Sequence, residues 1–312
     1  MRAIVTGGAG FIGSHVVDAL LARGDDVHVL DNLSSGSREN VAAKATLVER
    51  DIREPLQDVF AEARPEACFH LAAQADVRVS VQRPDYDADV NVLGTIRVLE
   101  ASRGHGTRVV FSSTGGAIYG ECEGPASEKR AREPFAPYGV SKLCGEEYIA
   151  MFNRLHETRH TSLRYANVYG PRQNPHGEAG VVAIFLGHLA EGKRPLIFGD
   201  GRQTRDYVYV GDVVRATLAG LDAEGAFNVG TGRETSVLEL YDVCRAVAGL
   251  DLEPEFAPAR LGELQRSVLD PELASRELGW RAEESIEDGV RATWESLLAA
   301  DDKLSALPPA PE

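Results

Sequence analysis

Thr6-Gly7-Gly8-Ala9-Gly10-Phe11-Ile12-Gly13 is the stretch that decides the fold. It follows a short apolar run at residues 2–6 and opens an amphipathic segment at residues 11–22. A glycine triad alone is a weak signal. Between a strand and a helix, however, Gly7, Gly10 and Gly13 permit a tight turn, close approach to a pyrophosphate and close helix packing. The helix N-terminus then offers N–H donors and positive partial charge to phosphates.

Outward from this turn, apolar runs at 26–30, 45–48, 67–71 and 108–111 alternate with helical patterns at 55–63, 87–102 and 138–155, and a further strand is expected at 161–165. Strand–helix alternation with continuously apolar strands predicts an α/β chain built on a doubly wound parallel (Rossmann) sheet. Beyond Gly170 the rhythm breaks. A Pro- and Gly-rich loop at 171–180 precedes helices expected at 181–191, 236–248, 271–278 and 285–298, and the chain ends in a Pro-rich stretch. The expected organisation is a dinucleotide-binding domain over 1–170, to which some later segments return, and a smaller α+β lobe over 171–312. That lobe would lie across the carboxyl edge of the sheet, where such folds bind ligands.

Of the 312 residues, 43% are hydrophobic, enough for a substantial core, and the formal net charge is −15 without a basic block. Nucleic acid and anionic membrane surfaces are therefore poor partners. Cys68, Cys122, Cys144 and Cys244 are far apart in sequence and form no metal-ligand spacing, so no metal site is expected and the thiols read as those of a reducing compartment. An apolar strand directly after Met1 leaves no room for a signal peptide, and no apolar run approaches the ~20 residues of a membrane span. The expectation is a soluble cytoplasmic protein.

Asp31 ends the second strand where a carboxylate can accept from both adenosine ribose hydroxyls and repel a 2′-phosphate, favouring NAD over NADP; Arg38, a few residues on, weighs the other way. Asp51-Ile52 after the third strand could hold the adenine. Leu71-Ala72-Ala73-Gln74 ends the fourth strand with small residues that let a dinucleotide lie across the sheet, although Ala72 and Ala73 are also ordinary packing residues.

Thr114 follows the fifth strand, and Tyr138 and Lys142 lie four residues apart, on one helix face. An ammonium about 4–5 Å from a phenol, at an effective dielectric of about 20, is worth roughly 3–4 kcal/mol, a pKa lowered by about 2–3. The expectation is a tyrosinate-like base near working pH beside a nicotinamide.

These motifs together resemble the extended short-chain dehydrogenase/reductase family, and within it the UDP-glucose (UDP-galactose) 4-epimerases. The resemblance runs from Met1 to about Trp280 and takes in Asp31-Asn32, Asn91 on its helix, Ser112-Ser113-Thr114-Gly115-Gly116, Tyr138-xxx-Lys142, Leu163-Arg164-Tyr165-Ala166-Asn167, Arg205-Asp206-Tyr207-Val208 and Arg260-Leu261-Gly262-Glu263. Leu261 stands where many relatives carry Pro. The resemblance implies bound NAD contacted also by Phe11, Ile12, Asn32, Asn91, Ser112 and Tyr165. It implies a UDP-sugar held by Asn167, Val182, Arg205, Arg260 and Glu263, and a homodimer paired through the helices at 87–102 and 138–155. It further implies that Tyr138 exchanges a proton with the sugar C4 hydroxyl, that Thr114 holds that oxygen, and that Lys142 serves the nicotinamide ribose. Ser267 falls at the position associated with acceptance of a 2-N-acetyl group, or else caps the turn before Asp270-Pro271; His176 is a polar loop residue near the substrate in these relatives. Gly115 and Gly116 stand where sugar dehydratases carry an acid pair. The alternatives are a dehydratase or decarboxylase, an epimerase of UDP-glucuronate or N-acetylated sugars, and a silent NAD-binding regulator.

Overall fold

The computed structural model describes residues 1–175, 180–260 and 264–305. Seven strands form the central sheet: β1 (Arg2–Thr6), β2 (Asp26–Asp31), β3 (Thr46–Glu49), β4 (Ala67–His70), β5 (Arg108–Thr114), β6 (Thr161–Tyr165) and β7 (Gly225–Val229). Their order is β7-β6-β5-β4-β1-β2-β3 and every pairing is parallel. The order reverses between β1 and β4. A crevice at that switch point, over the strands' carboxyl ends, is where a doubly wound sheet receives a ligand.

Both faces of the sheet are covered, which is why the strands read as unbroken apolar runs. Ala3, Val5, Val27, Val29 and Phe69 join a core on one face with Val16, Val17 and Leu20 of the helix Phe11–Ala22. Ile4, Leu30, Cys68, Val109 and Phe111 point the other way, against Phe60, Leu99 and Phe152. A third core, with Phe185, Leu240, Tyr241 and Val290, lies among the helices Val181–Ala190, Val237–Ala248 and Ile286–Ser305. Removing one such Leu or Ile to Ala typically costs about 2–5 kcal/mol.

Several elements differ from the sequence expectation. β5 runs on to Thr114, because Ser112 and Ser113 are buried beside β6 rather than looped out. The helix expected from residue 87 starts at Pro84, whose fixed φ suits a first turn, and passes through a π-helical turn, Asp89–Leu93, before Gly94–Arg103. A short helix, Val77–Gln82, precedes it, capped by the Asp76 side chain accepting from the Arg78 N–H at 2.7 Å. Beyond the sheet, Thr204–Arg205 lies between Thr235–Ser236 and Arg266–Ser267, bringing residues far apart in sequence to the carboxyl edge. Cys68, Cys122 and Cys244 are buried, Cys144 is half-buried, and all four are free. Among the described residues no His/Cys/Asp/Glu group could hold a metal, and no helix is long and apolar enough to cross a membrane.

Candidate active site

Gly7 has φ +70°, and a Cβ there would stand 2.7 Å from the Ala72 backbone nitrogen at the end of β4; a Cβ on Gly13 would stand 2.1 Å from the Gly7 carbonyl oxygen. Only glycine allows this turn to sit so close to β4 and to the helix behind it. Gly10, the N-cap residue, provides no side-chain cap, and the first turn of the helix Phe11–Ala22 has no acidic residue. The orphan N–H groups of that turn, including those of Phe11 and Ile12, thus remain for an anion. This cradle fits a dinucleotide pyrophosphate.

Asp31 is buried, its Oδ2 accepting from the Ala9 N–H at 2.9 Å and its Oδ1 from the Leu33 N–H at 2.8 Å. It braces the glycine turn and keeps spare lone pairs for hydroxyl donors. Asn32 donates to Asp51 at 2.8 Å, while the Arg53 guanidinium beside Asp51 holds that carboxyl down to about 2. Ile52 is buried against Gly94. Arg38, a possible 2′-phosphate ligand, is paired with Glu49 on the surface.

On the other side of the switch point, Tyr138 and Lys142 occupy the first turns of the helix Pro137–His156. The Thr114 hydroxyl, at the end of β5, lies beside the Tyr138 phenol and favours its ionised form. Lys142 is 3% exposed, its ammonium donating to the Ser112 carbonyl at 2.8 Å and lying 4.8 Å from the Phe111 ring centroid. One expectation is reversed. Burial, then the Asp87 carboxylate, pushes the Tyr138 phenol up to about 12, against the Thr114 hydroxyl, which favours the ionised form. Lys142 does not offset this because its ammonium is turned to β5. Burial lowers Lys142 itself to about 8, with Asp87 and Glu146 opposing.

The helix is fixed from behind by a buried ion pair. Arg164 on β6 donates to Glu146 through Nε at 2.9 Å and Nη2 at 2.6 Å, and Ser113 donates to the same carboxylate at 2.5 Å. Nη1 of Arg164 donates to the Tyr119 hydroxyl at 2.7 Å, which donates in turn to Asn228 on β7. In the sequence Arg164 stands within the motif Leu163-Arg164-Tyr165-Ala166-Asn167, whereas only its place one turn beyond Lys142 marks Glu146.

Other expected site residues have different surroundings from those imagined. The Asn91 amide spans Gln74, Asp87 and Ser141, accepting from the Gln74 N–H at 2.9 Å and donating to Ser141 Oγ at 3.1 Å. Tyr165 is buried with its hydroxyl bonded to Thr217 at 2.8 Å, and Val182 is 1% exposed in the core of the C-terminal lobe. Its backbone N–H, in the first turn of a helix, is the group of Val182 left to meet a ligand. Arg205 pairs in register with Ser267, which is buried in a strand rather than capping a turn; Asp270 takes that role by accepting from the Glu272 N–H. The Arg260 guanidinium stacks 3.8 Å from the Phe198 ring centroid. Glu263, Leu261 and His176 lie outside the described residues.

Beside Thr114 a larger side chain would have to displace its neighbours. A Cβ at Gly115 would meet Leu269 Cδ1 at 2.4 Å, and one at Gly116 would meet Asn167 Oδ1 at 3.1 Å.

A pyrophosphate cradle and a Tyr–Lys pair flanking the switch point of a doubly wound sheet define a dinucleotide-dependent enzyme. The chain belongs to the NAD dependent epimerase/dehydratase family, whose model matches residues 3–230. It is 49% identical over 310 residues to the UDP-glucose 4-epimerase of Mycolicibacterium smegmatis, covering 95% of this chain and 98% of that one. The crystal structure of the Thermotoga maritima UDP-glucose 4-epimerase with UDP-glucose superposes with a TM-score of 0.94 at 46% identity, covering 96% of this chain and 99% of that one. The Thermus thermophilus UDP-glucose 4-epimerase complex with NAD gives 0.91 at 46% identity, covering 96% and 100%.

Proposed function

We propose that this chain interconverts UDP-glucose and UDP-galactose by 4-epimerisation through a transient 4-keto sugar, with NAD kept bound. Among the activities of the family, one observation carries this choice: Thr114 lies beside the Tyr138 phenol, while Gly115 and Gly116, packed against Leu269 and Asn167, supply no acid pair for elimination. When bound, NAD supplies the acceptor and donor of hydride for the sugar C4. Gly7, Gly10, Gly13 and the N–H groups after them hold its pyrophosphate, and Asp31 takes its adenosine ribose. Asn32, Asp51 and Ile52 line the adenine side, with Leu71, Ala72, Ala73 and Gln74 beneath the dinucleotide. Ser112, Asn91 and Tyr165 support its nicotinamide side through backbone and packing.

Tyr138 takes the proton of the C4 hydroxyl and returns it, and Thr114 holds the same oxygen throughout. Lys142, whose ammonium faces the Ser112 carbonyl, would hold the nicotinamide ribose, and the positive charge favouring a tyrosinate as the proton leaves would come with the oxidised nicotinamide. Epimerisation requires the planar keto sugar to present its other face, so the nucleotide must be gripped and the hexose left loose. Arg205 and Arg260 suit the diphosphate by bidentate donation, and Asn167, Val182 and Glu263 complete the grip. Residues 171–312 thus form mainly the nucleotide-sugar lobe. Exposed Val81, Leu93, Val140 and Leu155 lie on or beside the helices that would pair in a homodimer. The proposed setting is the cytoplasm, in keeping with the free thiols.

Purified protein mixed with UDP-galactose, without added NAD, should yield UDP-glucose. A stable keto product would point to a dehydratase, and no conversion would refute the proposed substrate.

A second reading, in which UDP-N-acetylglucosamine is also accepted, is favoured by the small side chain of Ser267 beside Arg205. Ser267→Tyr should lower kcat/KM for the N-acetylated sugar about tenfold or more relative to UDP-glucose, since steric overlap discriminates at least as sharply as a missing methylene. An unchanged ratio removes Ser267 as the gate.

A further inference from the structure

Asp87 is 1% exposed, in the short helix Pro84–Ala88 packed against the catalytic helix. Its Oδ1 accepts from Gln74 Nε2 at 2.9 Å and Asn91 Nδ2 at 3.1 Å, while its Oδ2 is buried without a hydrogen-bond partner. A buried carboxylate oxygen left bare is costly, and such groups concentrate where chemistry uses them. Asn91 in turn donates to Ser141, between Tyr138 and Lys142 on the catalytic helix, and Ser141 donates to the Tyr138 carbonyl at 3.0 Å.

We propose that Asp87 is an electrostatic positioning residue: its buried carboxylate is the counter-charge of the Tyr138–Lys142 pair, and through Asn91 and Ser141 it ties that charge to the catalytic helix. The other charged groups around the pair do not substitute for it. Glu146, one turn beyond Lys142, also raises the Lys142 pKa, but it is paired with Arg164 and is not among the charges that act on Tyr138. His70, on β4, is held neutral by burial and by Lys142, and its ring bonds Thr6 at 2.7 Å and Thr95 at 3.0 Å. Asp76, on the neighbouring helix cap, is paired with Arg78. Among the described residues no Lys or Arg forms an ion pair with Asp87, so its field falls on Tyr138 and Lys142, raising the pKa of both.

This inference rests on the proposed roles of Tyr138 and Lys142, and its test is separable from theirs. Asp87→Asn keeps the Oδ1 acceptor and removes the charge. A lost negative charge favours tyrosinate and disfavours ammonium, so both limbs of the pH profile of kcat should move to lower pH, by about one unit for a charge several Å away. Asp87→Glu should keep the limbs near their wild-type positions. A merely structural residue would lower kcat and leave both limbs in place, and that result overturns the proposal. If Asp87→Asn does not fold, Asp87→Ser takes its place; failure of both makes Asp87 a structural residue and overturns it equally. Full turnover in Tyr138→Phe would sink the site roles instead, whereas unshifted limbs in Asp87→Asn beside an inactive Tyr138→Phe sink Asp87 alone.

Discussion

Tyr138→Phe should fold, retain NAD after purification and turn over UDP-galactose about 10²–10⁴-fold more slowly than the wild type. The ring stays in its half-buried place at the start of the catalytic helix, so packing is conserved while the proton acceptor beside Thr114 disappears. Because the loss is confined to chemistry, kcat should fall with KM little changed. The phenol stands near 12 before substrate and cofactor contribute, so activity should rise with pH across the neutral range. Near-normal kcat in a folded Tyr138→Phe protein would remove Tyr138 from the mechanism.

Arg164→Met should cost about 3–5 kcal/mol of stability in urea unfolding, because it leaves the Glu146 carboxylate buried and unpaired. Glu146 and Arg164 are each about 4% exposed at their side chains, so solvent cannot rescue the orphaned charge. The double variant Arg164→Met with Glu146→Leu should recover much of that loss, since replacing both charges removes the desolvation penalty with the pair. Activity should fall in the double variant, because Ser113 there loses its carboxylate partner next to Thr114. A cost under about 1 kcal/mol for Arg164→Met would show the pair to be as weak as a surface salt bridge.

Much of the dinucleotide half was legible in the sequence because its signals are local. The glycine turn, the doubly covered strands and the Tyr138–Lys142 spacing each follow from residues a few positions apart. β7 escaped notice for a physical reason. Its Asn228 is buried and looks like a loop residue, yet Tyr119 donates to it at 2.8 Å and it donates to the carbonyls of Ala126 and Asp270 at 2.7 and 3.1 Å. Those partners lie far off in sequence. Asp87 was invisible for the same reason: its amide partner Gln74 and its charged neighbours Tyr138 and Lys142 belong to other segments. The direction of the Tyr138 pKa was misjudged because the spacing of Tyr and Lys says nothing of desolvation or of where the ammonium turns. Val182 can keep the contact implied by resemblance through its backbone N–H, because its side chain serves the core of the lobe.

The most direct test of the central claim uses UDP-galactose deuterated at C4, incubated with purified protein in ordinary water with unlabelled NAD present in excess. Oxidation and return within one closed site predict UDP-glucose with the deuterium still on C4. Loss of the label to water or to the added NAD would contradict the account.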